Sequence, residues 1–215
     1  FFPDLSLAWQ IGIGIILTWL AVAVNVITLD VGKWVPNLGA ILKVIIFIAI
    51  IIGAGLYAQT HGMANPLSYN TLKPDWGSSM QFIPAIIYGM LGFELVSASS
   101  DEMQDPARDV PRAIFFSGAI IIILYLLGTL AVLVAIPAAQ INLVEGLIDT
   151  FKLLFGDSNA GQTITLVLGI GALYTFFSNG VTWAMGCNRA AAEAAQEGEL
   201  PAIFALESKQ LGTPV

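Results

Sequence analysis

Five long apolar stretches constrain this sequence more than any other feature. They run approximately over residues 7–29, 37–58, 80–100, 112–136 and 163–187. Each has the length of about 20 residues that an α-helix needs to cross a hydrocarbon layer. They are continuously apolar, whereas the strands of a membrane barrel alternate between apolar and polar residues. Since only helices and closed barrels pair their backbone groups in lipid, the sequence predicts an all-α membrane protein, a helical bundle with five transmembrane helices.

Charge and cysteine content exclude several classes of function. Hydrophobic residues make up 57% of the chain and charged residues 11%, against roughly 25% charged residues in a soluble domain. The net charge is −7 and the basic residues are scattered, which argues against a nucleic-acid partner. The single cysteine, Cys187, excludes an internal disulfide and a multi-cysteine metal site, and we expect a buried or interfacial packing role for it. The lipid bilayer is the predicted partner, and we expect no metal and no cofactor.

The distribution of basic residues predicts the orientation of the chain in the membrane. Lys and Arg in short loops favour the cytoplasmic side. On a five-helix topology one side carries Lys33, Arg108, Arg112, Arg189 and Lys209, and the other carries Lys73 and Lys152. The sequence therefore predicts a multi-pass protein of the plasma or inner membrane, with a cytoplasmic C-terminal end. The chain starts at Phe1 without a methionine, so we expect it to be an excerpt of a longer protein.

Two further helices are predicted outside the apolar stretches. Over 143–155, apolar residues recur at helical spacing on one face and charged residues occupy the other, which predicts an external amphipathic helix. Such a helix either rests at the membrane interface or covers an external vestibule as a lid. Over 189–208, alanine-rich sequence predicts a cytoplasmic linker helix, with Gly198 and Pro201 as its stop signals.

The third apolar stretch breaks the rules that a plain membrane anchor obeys. Pro84, Gly89 and Gly92 interrupt it, and Glu94 places an acid inside an apolar run. We expect two half-helices separated near Gly89 to Gly92. Unpaired backbone at this depth is tolerated only where it is buried in protein or lines a cavity, and transporters bind polar substrates at such breaks. The alternative is that the glycines serve close helix packing.

Three segments resemble one family. The run from Tyr88-Gly-Met-Leu-Gly-Phe-Glu94 to Asp101-Glu-Met-Gln-Asp-Pro-Ala-Arg-Asp-Val-Pro111 resembles the sixth helix and following loop of the amino acid–polyamine–organocation superfamily. Trp183-Ala-Met-Gly-Cys-Asn-Arg189 and the sequence up to Thr213-Pro214 resemble the end of its eighth helix and the next loop. Asn37-Leu-Gly-Ala-Ile-Leu-Lys43 is similar to its fifth helix. The five stretches would then be the family's fourth to eighth helices.

This resemblance implies a fold and a function. The fold is that of the bacterial leucine transporter, in which two inverted five-helix repeats surround a site formed by the broken first and sixth helices. The function is secondary active transport of amino acids or related amines by alternating access, coupled to protons or to exchange as in an antiporter. The implied substrate-binding residues are Ile87, Tyr88, Gly89, Met90, Leu91 and Gly92, and the implied gating aromatics are Tyr88 and Trp183. The alternative is that these two aromatic residues only pack within the helical bundle.

Lys43 is a charged residue near the middle of the second apolar stretch. Such a placement costs about 2.5–3.5 kcal/mol on insertion scales, so it calls for a reason. One reason is snorkelling, in which the long side chain reaches back to the cytoplasmic boundary. The other comes from the resemblance, which implies that a lysine here occupies the place where relatives bind sodium and couples transport to protons. Glu94 is the second candidate for proton coupling.

The remaining polar residues and the absence of catalytic motifs bear on the class of function. His61 has no carboxylate or cysteine partner nearby in sequence and receives no role. Asn25, Ser178 and Asn179 are expected to form interhelical hydrogen bonds, worth less than ~1 kcal/mol each. For Ser178 and Asn179 the alternative is that they face the transport pathway. The sequence contains no H-E-x-x-H and no G-x-S-x-G, so no enzyme is predicted. A channel or a structural membrane subunit without transport activity stays open as the alternative.

Overall fold

The described part of the chain is mainly helical. A computed structural model describes residues 5–26, 34–92, 97, 103–141, 146–156 and 158–206. Of these residues 84% are helical and none is in a strand. The α-helices are α1 (Leu7–Val26), α2 (Trp34–His61), α3 (Tyr69–Leu72), α4 (Trp76–Ser79), α5 (Ile83–Gly89), α6 (Pro106–Ala135), α7 (Gly146–Phe155) and α8 (Asn159–Gln196). Short 3₁₀ helices cover Met80–Phe82, Ala138–Gln140 and Ala202–Ala205.

Four of the described helices are long and apolar enough to cross a membrane. They are α1, α2, α6 and α8, with 20, 28, 30 and 38 residues. The third apolar stretch contributes the shorter apolar segment Met80–Gly89, and the residues that follow Gly92 lie outside the described part of the chain apart from Ser97. The predicted fold class, an all-α membrane protein, is confirmed.

The C-terminal end of helix α8 differs from the helix boundaries predicted from the sequence. A separate linker helix over 189–208 was expected, but the alanine-rich residues continue α8 without a break because they have high helix propensity. The helix stops earlier than 208, at the predicted glycine. Gly198 has a φ of +83°, its N–H donates to the Ala195 carbonyl at 3.2 Å, and the Glu199 N–H donates to the Ala194 carbonyl at 2.8 Å. This is a Schellman motif, which pairs carbonyls that the helix leaves open.

The described chain divides into two compact units. Unit 2 comprises residues 43–94 and 107–172, and unit 1 comprises residues 1–42, 95–106 and 173–215. The core of unit 2 joins α2, α6, α7 and α8 through Ile46, Ile50, Ala54, Ala131, Phe151, Leu168 and Ala172. Glycines allow this close packing: a Cβ atom at Gly128 would lie 2.5 Å from Cε1 of Phe47. Membrane helices generally associate through such small residues.

Hydrogen bonds between helices hold unit 1 together. The Ser178 hydroxyl and the Tyr174 hydroxyl both donate to the Val35 carbonyl, at 3.0 and 3.3 Å. Asn25 Nδ2 donates to the Val181 carbonyl at 3.4 Å. Asn25 and Ser178 therefore form the interhelical bonds that were expected of them. Gly39 lies directly against the Ser178 side chain, where a Cβ atom would overlap the hydroxyl.

We predict that Gly128→Leu destabilises the intact protein by about 1–3 kcal/mol, because the new side chain displaces the Phe47 ring from a filled space. Gly118→Leu is the matched control in the same helix, since a Cβ atom there meets nothing within 4 Å in the described chain. Thermal unfolding of the purified variants in detergent measures the difference. Equal melting temperatures for the two variants would contradict this packing.

Candidate functional site

Helix α5 ends inside an apolar segment. Pro84 lies in its first turn, where a missing N–H costs nothing, and the helix ends at Gly89. The Met90 N–H donates to the Ile86 and Ile87 carbonyls, both at 3.1 Å, and the Leu91 N–H donates to the Tyr88 carbonyl at 3.2 Å. These shorter-range bonds tighten the last turn into 3₁₀ geometry.

Gly92 then turns the chain away from the helix. Its φ is +110°, a backbone conformation that side chains with a Cβ atom rarely adopt. The predicted interruption of the third apolar stretch is thus confirmed as far as Gly92. The predicted second half-helix falls on residues outside the described part of the chain.

The end of α5 offers acceptors for a positive charge. Helix carbonyls at a C-terminus carry partial negative charge, which stabilises cations. The Ile87 and Tyr88 carbonyls lie at this end and accept hydrogen bonds from the N–H groups of the turn. Backbone carbonyls of this kind are the acceptors that the ammonium group of an amine needs. The side chains around them are accessible, with Tyr88 78% exposed and Ile87 58% exposed.

The structure brings together only part of the predicted site. Ile87, Tyr88, Gly89, Met90, Leu91 and Gly92 form the end of α5 and the turn after it. Tyr88 belongs to unit 2, whereas the second predicted gating residue, Trp183, lies on α8 in unit 1. Lys43 lies on α2, one turn after Gly39, with an exposed side chain. Among the described residues no carboxylate lies within 4.0 Å of its ammonium group. Glu94 lies outside the described residues.

Helix α7 is docked on unit 2 by its apolar face. Phe151 and Thr150 are fully buried, and Asp149 and Lys152 face outward with 4.0 Å between Lys152 Nζ and an Asp149 oxygen. The described helix begins at Gly146, and residues 143–145 of the predicted range lie outside the described part of the chain. The amphipathic pattern therefore describes a helix packed on protein.

Asn65 is a structurally important residue that the sequence-based reasoning missed. It lies between α2 and α3, and its side chain bonds to the C-terminal end of α6. The dipeptide Asn65-Pro66 signals a turn, but nothing in it indicates a partner 68 residues away.

A family model described as amino acid permease matches residues 1–215. The chain belongs to the amino acid permease family. This confirms the resemblance to the amino acid–polyamine–organocation superfamily, and with it a leucine-transporter-like fold of which the chain forms a part.

Several curated relatives of this permease are partial matches. The probable agmatine/putrescine antiporter AguD of Lactococcus lactis is 33% identical over 195 residues, which cover 89% of this chain and 41% of that protein. An uncharacterized transporter of Legionella pneumophila is 27% identical over 212 residues, which cover 96% of this chain and 45% of that protein. The branched-chain amino acid permease BcaP of Bacillus subtilis is 28% identical over 110 residues, covering 51% of this chain and 22% of BcaP. The chain spans less than half the length of these relatives.

The permease family and the long apolar helices identify an integral membrane protein. The names of the family and of these relatives are those of transporters and not of enzymes. For this permease, the end of α5 is therefore the candidate substrate site that the described residues contain.

We predict that Gly92→Ala destabilises the intact permease by about 1–2 kcal/mol, because a Cβ atom is strained in a left-handed backbone. Gly89→Ala is the control, three residues earlier and inside α5, where a Cβ atom meets nothing within 4 Å. Its higher helix propensity should be neutral or stabilising by up to about 1 kcal/mol. The melting temperatures of the two purified variants measure this difference. A Gly92→Ala protein that is as stable as the unsubstituted protein would contradict the observed turn.

Proposed function

We propose that the intact protein transports amino acids or related amines by secondary active transport with alternating access. The observation that carries this proposal is the end of α5 at Gly89 inside an apolar segment, in a chain of the amino acid permease family. A lipid-facing anchor gains nothing from such a break, since it leaves backbone groups without partners. A substrate with a charged amine can supply the partner.

The substrate-binding roles that the family resemblance implies are compatible with the chemistry of this turn. We assign the ammonium group of the substrate to the Ile87 and Tyr88 carbonyls, and the shape of the side-chain pocket to Gly89, Met90, Leu91 and Gly92. Tyr88 and Trp183 act as gating aromatics in this proposal.

The class of amine is narrowed by similarity. The 33% identity to a probable agmatine/putrescine antiporter favours a polyamine or its guanidino relative as substrate, carried by exchange. The net charge of −7 is compatible with a cationic substrate. The shorter match to a branched-chain amino acid permease makes amino acids the competing class. Competition with putrescine, agmatine, leucine and arginine in one uptake assay separates the two.

Lys43 is the proposed coupling residue. It stands within an apolar helix, one turn from the glycine that contacts Ser178, and none of the described carboxylates pairs with it. We propose that its ammonium group braces the bundle and that release of the proton loosens the bundle during the change of access. Glu94 is the next candidate for this role. The C-terminal end lies on the cytoplasmic side of the plasma or inner membrane in this proposal.

We predict that the intact protein, reconstituted in liposomes, shows saturable amine uptake that depends on pH and not on sodium. Lys43→Ala should abolish accumulation while expression is retained, because the group that carries the proton is lost. Lys152→Ala is the matched control, since it removes an exposed lysine from the outward face of α7.

Three outcomes would contradict parts of this proposal. Flux that does not saturate with substrate would identify a channel. The absence of any flux would favour a structural membrane subunit without transport activity. Accumulation by Lys43→Ala with an unchanged pH profile would show that Lys43 only snorkels, and Glu94→Gln would be measured next.

A further inference from the structure

The C-terminal end of α6 lacks a donor that an ordinary helix would have. The Leu133 carbonyl would normally accept from the N–H four residues later, but that residue is Pro137, which has none. Asn65 Nδ2 fills this place, donating to the Leu133 carbonyl at 2.6 Å and to the Ile136 carbonyl at 2.7 Å.

The rest of the Asn65 environment completes the cap. The Ala138 N–H would bond to Val134 if the helix continued, but it donates to Asn65 Oδ1 at 3.1 Å, and the Ala64 N–H donates to the Val134 carbonyl at 2.8 Å. The side-chain amide can have only one orientation, because its nitrogen faces two carbonyl oxygens and its oxygen faces an N–H. The loop between α2 and α3 thus closes the end of α6 and fixes the direction in which the chain leaves it.

That direction matters because the chain leads to α7. Phe151 of α7 is 0% exposed, and the Thr165 hydroxyl of α8 donates to the Phe151 carbonyl at 3.2 Å. On the other side, Gly53 of α2 lies against the Phe155 ring, and a Cβ atom there would be 2.6 Å from Cζ. Both α7 and the end of α6 are therefore fixed to α2 and the loop after it, within one unit.

We infer that Asn65 is a positioning residue for transport, which holds the exit of α6 so that α7 stays docked on α2 throughout the cycle. In this arrangement α7 is a fixed cover and not a lid that swings on its own. The role of Asn65 in transport rests on the proposed function, but the docking of α7 can be measured without any transport.

The test follows the distance between α7 and α2 in the intact protein. Spin labels are placed at Lys152→Cys on α7 and Gln59→Cys on α2, both exposed and in the same unit, with Cys187 and any other native cysteine replaced. We expect one narrow distance distribution that putrescine does not change. If putrescine shifts the distance distribution of the labelled protein in which Asn65 is unchanged, the inference is overturned, because α7 would then move as a lid.

Variants of Asn65 test the residue itself. Asn65→Ala removes both donors and the acceptor, and should broaden the distribution and speed hydrogen exchange of the Ala138 amide about tenfold or more. Asn65→Asp keeps an acceptor for Ala138 but places a carboxylate against two carbonyl oxygens, so we expect at least as large an effect. Asn70→Ala, five residues later and exposed in α3, is the control and should leave both signals unchanged. Unchanged signals in Asn65→Ala and Asn65→Asp would overturn the inference.

A transport measurement separates positioning from substrate binding. Asn65→Ala should lower the maximal uptake rate about tenfold, with KM changed by less than about twofold, since the residues at the end of α5 are untouched. A raised KM at an unchanged maximal rate would contradict the positioning role. If the intact protein carries no amine, the proposed function fails while the label distances and exchange rates still decide whether Asn65 holds α7.

Discussion

Backbone groups inside a hydrocarbon layer have to find their partners within the protein, because lipid offers none. A helix meets this demand along its length but not at its ends, where the last carbonyls have no N–H ahead of them. In this chain the places where helices stop therefore carry more information than the helices themselves. The described ends of α6, α8 and α5 meet the demand in three different ways.

The three ends differ in how completely they are closed. At the end of α6, Ala64 and Asn65 take the place of the missing turn, so the carbonyls are sealed by another part of the chain. At the end of α8, Gly198 allows the chain to fold back on its own carbonyls. At the end of α5, the N–H groups of Met90 and Leu91 bond to carbonyls of the last turn, and Gly92 turns the chain away with a positive φ. A sealed end holds a structure in place, whereas an open end can bind a ligand.

The sequence predicted those features whose cause is local. The break after α5 was predictable because Pro84, Gly89 and Gly92 act on their own backbone, and the amphipathic face of α7 because its period lies within one helix. The cap by Asn65 was not predictable, since it requires knowing that Pro137 and Asn65 meet in space. The boundary of the linker helix was misplaced because helix propensity gives no sign of where a membrane span ends. Asn25 and Ser178 form the interhelical type of hydrogen bond that was expected, but the sequence does not identify their partners. The roles proposed for Lys43, Trp183 and Glu94 depend on contacts between distant parts of the protein. The periodicity of the sequence does not reveal such contacts.

Helices α5 and α7 differ in how the described part of unit 2 holds them. Helix α7 buries Phe151 and Thr150 completely and sits against Gly53, whereas α5 has no buried residue within the described chain. Elements with few buried apolar contacts open at lower free energy than elements that share the core. In the described part of the chain, the core around Ile50 is built without any residue of α5. A change of access that moves α5 around the Gly92 turn therefore preserves the packing of α7, while one that lifts α7 would expose the Phe151 ring and break the Thr165 bond.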